Sequence, residues 1–207
     1  MLKKVIGTAL IAVLATAGFV GQAHADAAKP GQSMTHMKTE KGISSTLEAA
    51  GVILYVQGGA TSAVMGESIA STEGQVVFHI PVTGTKTGVE HVGSNIILFN
   101  TSNNAQVVIK NPVIDLKNGV VKAVVPQASA QPITLFTITN AKELKAKITN
   151  DKKAKLRTTS YEGAKLAFAP GLAPSIVSLL VLPEGSLPDG LAFASANVSL
   201  YSPIKSR

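Results

Sequence analysis

The stretch Gly74-Gln75-Val76-Val77-Phe78-His79-Ile80-Pro81-Val82 decides the fold class. Gln75, Val77, His79 and Pro81 fall on one side of an extended chain, and Val76, Phe78, Ile80 and Val82 on the other. Side chains of a strand alternate between faces, so a wholly apolar second face predicts a sheet with one buried side.

Reading outward, the same grammar repeats. Gly84 and Gly88 mark a turn before a strand over residues 94–99, and the Asn/Thr/Ser run at 100–104 has the turn chemistry that returns the chain into residues 105–110. Asn111-Pro112 interrupts that strand, because proline has no amide to give to a ladder. Residues 113–116 and 120–125 flank Lys117-Asn118-Gly119, a strong short hairpin signal. Upstream, residues 51–57 form an apolar β-prone run closed by Gly58-Gly59, and downstream residues 133–139 read as a further strand. The lysine-rich stretch 142–155 has good helix formers. Its period of two, with Leu144, Ala146 and Ile148 alternating with Lys145, Lys147 and Thr149, predicts a hairpin with a basic outer face instead. Residues 166–169 form a short strand. Residues 173–182, led by Pro174, form a short helix. Residues 191–200 close the domain with Ala192, Ala194, Ala196, Val198 and Leu200 on one face. Eight to ten short strands and one short helix near 173–182 predict an all-β chain, an antiparallel β-sandwich or a barrel-like form.

The beginning of the chain has a different character. Lys3 and Lys4, an uncharged apolar run over residues 5–20 and the terminal Ala23-His24-Ala25 have the layout of a removable secretory signal cut after Ala25. An apolar run this short falls below the roughly 20 residues of a spanning helix, so the mature chain is expected not to span a membrane and to be secreted, periplasmic or held at the cell surface. Residues 26–41 are polar and lack a hydrophobic period, which predicts a flexible leader. Residues 42–203 then form one β-domain of ordinary size, followed by a tail at 204–207.

Composition narrows the chemistry. There is no cysteine, so disulfides, thiolate nucleophiles and zinc–thiolate sites are ruled out. With no Trp, six Phe and three Tyr, the core must be built from Val, Ile, Leu and Ala. Without Lys3 and Lys4, 17 basic residues face 12 acidic ones, a net charge of +5. Such a charge favours anionic surfaces such as phospholipid head groups, acidic polysaccharide or nucleic acid, or simply keeps the chain in solution. The lysines are not interleaved with stacking aromatics, so nucleic acid is not an expected partner. Met34-Thr35-His36-Met37 offers thioether and imidazole groups of the kind copper takes, but four residues in a flexible leader do not make a site, and no metal is assigned.

No Gly-x-Ser-x-Gly elbow, phosphate loop or His-Glu-x-x-His motif occurs, and the carboxylates are scattered through turns. The expectation is therefore a protein that is not an enzyme and has no catalytic residues. Of the three histidines beyond the signal, His36, His79 and His91, the second lies mid-strand on a polar face and reads as solvated. His91 is bounded by Gly88 and Gly93 just before a strand, a place where an imidazole can be exposed to a ligand at a sheet edge or mouth, or can simply occupy a surface turn.

Three ordered segments carry a family resemblance. They are Phe78-His79-Ile80-Pro81-Val82-Thr83-Gly84, then Val89-Glu90-His91-Val92-Gly93 leading into Ile96-Ile97-Leu98, then residues 107–124 with Asn111-Pro112 and Asp115. Together with the small-residue strand at 190–200 they resemble the Htaa domain of secreted bacterial proteins, over roughly residues 43–200. The resemblance implies a β-sandwich-like domain with one short helix, and haem binding at the cell surface through a tyrosine ligand supported by a histidine. The matching positions here are Tyr55 and His91. The leading expectation is an exported, non-enzymatic cell-surface or extracellular-matrix component without a cofactor. Its partners would be envelope or matrix components, or further copies of itself. The alternative is a haem or small-ligand binding protein of the cell envelope.

Overall fold

The computed structural model describes residues 32–65 and 75–204. The signal, the first part of the leader and the end of the tail lie outside the described residues. In chain order the elements are β1 Met34–Thr39, α1 Ile43–Ala49, β2 Val52–Gly58, β3 Thr61–Met65, β4 Gln75–Pro81, β5 Val89–Glu90, β6 Ser94–Asn100, β7 Gln106–Asp115, β8 Val120–Val125 and β9 Ser129–Ile138. A single 3-10 turn, Ala141–Glu143, precedes β10 Lys147–Asp151 and β11 Leu156–Phe168, followed by α2 Leu172–Leu179 and β12 Ala192–Pro203.

All twelve strands belong to one antiparallel sheet ordered β2-β6-β7-β8-β9-β11-β12-β1-β4-β3, with β10 added on β11 and β5 on β7. The sheet curls until its two ends, β2 and β3, come together through the Gly58–Gly59 turn, which makes a nearly closed barrel. The all-β antiparallel expectation therefore holds in its barrel-like form. More strands are present than the expected eight to ten, because the sequence punctuation hides β1, β3 and the two-residue β5.

The strand that opened the sequence reading behaves as its period requires. Val76, Phe78 and Ile80 are buried while Gln75, Val77, His79 and Pro81 are partly exposed. Inward-facing rows from every side of the barrel fill its interior with Val, Ile, Leu and Ala. At one place aromatics take over, where Phe136, Phe168 and Phe193 stack with ring centroids 5.1–5.4 Å apart. Helix α2 buries Leu172, Ala173, Ile176 and Val177. Its end is fastened by Asn100, whose buried Nδ2 donates to the Leu180 carbonyl at 2.8 Å. The helix expected over 173–182 is thus present, shifted by a residue at its start and ending at Leu179.

Three expectations need correction. Ordered structure begins well before Gly42: β1 lies between β12 and β4 in the sheet, and Met34, Thr35, Met37 and Thr39 are buried, so residues 34–39 are not a flexible leader. The polar residues that suggested a leader are satisfied inside. The Thr39 hydroxyl, fully buried, accepts from the Val76 amide at 3.0 Å and lies 3.1 Å from the Ser44 hydroxyl. A second helix, α1, was not expected; it buries Ile43 and Leu47, four apart, and packs on β2 and β4 from the two sides of the barrel seam. Finally, Asn111-Pro112 does not end a strand. β7 runs through it with a bulge, marked by the register shift between Lys110 and Val113 and by Asn111 at φ 50°.

Candidate functional site

The bulge in β7 determines what His91 does. By leaving the ladder it frees the Pro112 carbonyl, which accepts from the His91 backbone amide at 3.1 Å and from the His91 ring Nδ1–H at 2.9 Å. On the other side of the ring, the Thr35 hydroxyl donates to Nε2 at 2.8 Å. The carbonyl needs a donor and so places a proton on Nδ1, while burial favours the neutral ring whose Nε2 lone pair receives the Thr35 hydroxyl. Burial lowers the pKa of His91 from its ordinary value, and the bond to the Pro112 carbonyl opposes this only in part. With 1% of its surface exposed, His91 is a wall residue of the barrel interior and not the ligand-accessible or surface-turn residue expected from its glycine-bounded position.

The space beside it is small. A cavity of about 30 Å³ is lined by Met37, Ile80, Ile96, Ile109, Leu135 and their neighbours, with His91 and Thr35 as its polar members. Ligand pockets run to about 300–1,000 Å³, at least about tenfold larger. Larger surface concavities, about 540 Å³ beside α2 and about 400 Å³ between Gly88 and Tyr161, contain neither Tyr55 nor His91.

Tyr55 stands elsewhere. Its neighbours on β2, Leu54 and Val56, pack against the core, so the alternation turns Tyr55 to the outer side of the sheet, opposite Ile97 of β6. The structure does not bring Tyr55 and His91 together: one is on the outside of the barrel and the other is committed inside it. The residues present do not fit a haem. The interior has no room for one, and both nitrogens of the supporting histidine are already bonded.

Four carboxylates are likewise occupied. Glu90 accepts from the Thr87 amide and hydroxyl at 2.8 and 2.7 Å, which lowers its pKa. Asp115 is lowered in the same way by Asn118. Asp151 accepts from the amides of Lys153 and Ala154, and Asp189 from that of Gly171. Each closes a turn, and none of these four meets a second carboxylate in those bonds.

Two outer features were not assembled in the sequence reading. The first is a pair of histidines. His36 on β1 and His79 on β4 are direct partners across the sheet, with Nδ1 atoms 2.6 Å apart, and burial together with the charge of His79 lowers the pKa of His36. The residues were visible in the sequence, but their register was not.

The second is the ribbon formed by β10 and the first half of β11. Every residue of β10 is exposed, and among the strands it pairs only with β11. Between Lys142 and Lys165 lie eight basic residues, all exposed, and three acidic ones. That surplus of five equals the entire net charge of the chain beyond the signal, so the remaining residues balance at nine against nine. The ribbon also presents Ile148 with 49% of its surface exposed.

Comparison with family models, with curated proteins and with solved structures finds no match for this chain.

Proposed function

We propose that this chain is an exported, non-enzymatic barrel that attaches to an anionic lipid surface of the cell envelope through the β10–β11 ribbon. The observation that carries this reading is that the whole charge surplus falls in one continuous segment, residues 142–165, which contains the exposed ribbon. A basic residue near an anionic membrane contributes about 1 kcal/mol of attraction. The stretch from Lys145 to Arg157 offers Lys145, Lys147, Lys152, Lys153, Lys155 and Arg157, enough for reversible attachment without a spanning segment. Ile148 projects among these charges, as an apolar residue would that enters the head-group layer. The barrel body serves as the rigid carrier of the ribbon, which suits a filled interior better than ligand capture does. The Htaa-like resemblance is compatible with a cell-surface location, while its haem implication has no site among the described residues.

Sedimentation with vesicles tests the proposal. The mature chain should bind vesicles containing phosphatidylglycerol and not those of pure phosphatidylcholine, and the binding should fade as salt rises from 0.05 to about 0.5 M, where the screening length falls to a few ångströms. The triple variant Lys152→Gln, Lys153→Gln, Lys155→Gln should lose at least tenfold in apparent affinity. Equal binding by wild type and variant, or binding indifferent to lipid charge, would remove the proposal.

A further inference from the structure

The Met34-Thr35-His36-Met37 run divides on folding. Thr35 turns inward to His91, and Met37 joins the core. His36 is left part-buried on the outer face, with Met34 buried two residues before it, and there β4 supplies a second imidazole. His36 and His79 are in direct register, their rings meet edge to face with centroids 4.7 Å apart, and their Nδ1 atoms approach to 2.6 Å.

We propose that His36 and His79 form a cross-strand metal site that takes copper. Two imidazoles with converging nitrogens on adjacent strands have the essentials of a chelate. Their backbones are held by the sheet, so little freedom is lost on binding, and their two Nδ1 atoms, which share a hydrogen bond in the metal-free chain, face each other. With metal–nitrogen bonds of about 2.0–2.1 Å, two ligating nitrogens lie roughly 3 Å apart or slightly more. Rotation of the two rings by a few tenths of an ångström to about one ångström provides that opening. The position is part-buried, whereas His91 is fully buried with both nitrogens bonded to other groups, and the ion would replace the one bond between the two imidazoles.

The choice of metal follows from donor type. Imidazole suits copper, zinc and nickel, and among divalent ions copper binds such nitrogen sites most tightly. Met34, two residues before His36 on the same face, adds a nearby thioether, a donor suited to the reduced ion. No acidic residue shares the row: its next positions are Thr61 on β3, opposite His79, and Asn197 on β12, opposite His36. Asn197 is already engaged, accepting from the Gly163 amide at 2.7 Å. Among the described residues no group of three or more His, Asp or Glu is placed to hold a metal ion, so the remaining coordination positions fall to water or to Met34.

Occupancy would tie β1 to β4 on the outer side of the strand whose inner side receives His91. Any ion that binds the folded chain and not the unfolded one raises apparent stability, which provides a readout independent of affinity.

The test is titration of the mature chain with Cu(II) in the presence of glycine as competitor, followed by calorimetry and electron paramagnetic resonance. One tight site with nitrogen hyperfine structure and a raised Tm is expected. His36→Gln and His79→Gln should each weaken it at least tenfold and abolish the rise in Tm, while circular dichroism confirms that both variants fold. Thr61→His, which places a third imidazole beside His79, should tighten binding at least tenfold. Unaltered affinity in either glutamine variant overturns the proposal, as does a Thr61→His variant no tighter than wild type. Binding that survives only through the chain's amino terminus would show as unaltered affinity in both glutamine variants and has the same consequence.

Discussion

The barrel body and the β10–β11 ribbon are continuous through β11, yet they are built on opposite terms. Along the inner half of β11, Ala164, Leu166, Ala167 and Phe168 are buried against the core; along its outer half, residues 156–162 have no fully buried member. The body spends its polar groups on itself: Thr35 on His91, Thr39 on Val76, Asn100 on Leu180. The ribbon leaves its charges facing water. A strand can thus hold its backbone ladder, here to β12 on one side and β10 on the other, while its side chains pass from structural duty to surface duty. Substitutions in the two regions should therefore differ in kind as well as in size.

The largest effect is expected at the barrel seam. Gly58 has φ 76° and sits so close to Gly93 that an added Cβ would lie 1.8 Å from its carbonyl oxygen. Because that neighbour is backbone, no side chain can move aside. Gly58→Ala should cost about 3 kcal/mol in urea unfolding, from left-handed strain plus a forced shift of β2 against β6. A loss below about 1 kcal/mol would mean that the seam yields more freely than the rest of the body.

Acid should also separate the regions. Burial holds His91 below 6.5, so between pH 6.5 and its folded pKa the unfolded chain takes up a proton that the folded chain refuses. Stability is then full above about pH 6.5 and falls on acidification, by at most about 1.4 kcal/mol per pH unit from this residue. His36, lowered likewise, acts in the same direction. Glu90 and Asp115 are lowered from 4.5 and 3.8, so the stability they lend is lost only below those values and leaves the window from pH 6.5 to 5 to the histidines. Unfolding curves of wild type and His91→Leu over that window should differ in slope, with the leucine variant flatter. Coincident slopes would show that His91 is not held as a buried neutral base.

What the sequence disclosed follows the range of the interactions involved. Alternation over residues 75–81 and the Asn118-Gly119 turn are local, and both were legible. β1 was not, because its burial depends on partners distant in the chain: Thr35 meets His91 across 56 positions, and His36 meets His79 across 43. A strand whose inward residues include two threonines imitates a polar leader until those partners are known. Pro112 misled for a related reason. A proline without an amide predicts an interruption, but the bulge keeps the strand paired on both sides and turns the freed carbonyl to a histidine that local patterning placed in an accessible turn or mouth. In the ribbon, period two was the correct guide against a helix, although β10 begins only at Lys147 and both of its faces are exposed.

The smallest effect in stability should come from the ribbon itself, and for that reason it is informative. Lys152, Lys153 and Lys155 lie around a turn held by the Asp151 carboxylate and by backbone groups of Lys153 and Lys155, which a change of side chain leaves in place. Replacing all three by glutamine should leave unfolding stability within about 0.5 kcal/mol of wild type, as for surface positions without structural partners. Hydrogen exchange gives the same comparison without substitution. Amides of β10, which pairs on one side only and buries nothing, should exchange through local opening, whereas those of β6 and β7, between two neighbours each and over the core, should wait for global unfolding. A protection difference of several orders of magnitude between Ile148 and Val107 is expected. Equal protection would make the ribbon part of the cooperative body, and its lysines would then have to be read as structural charges and not as a free attachment surface.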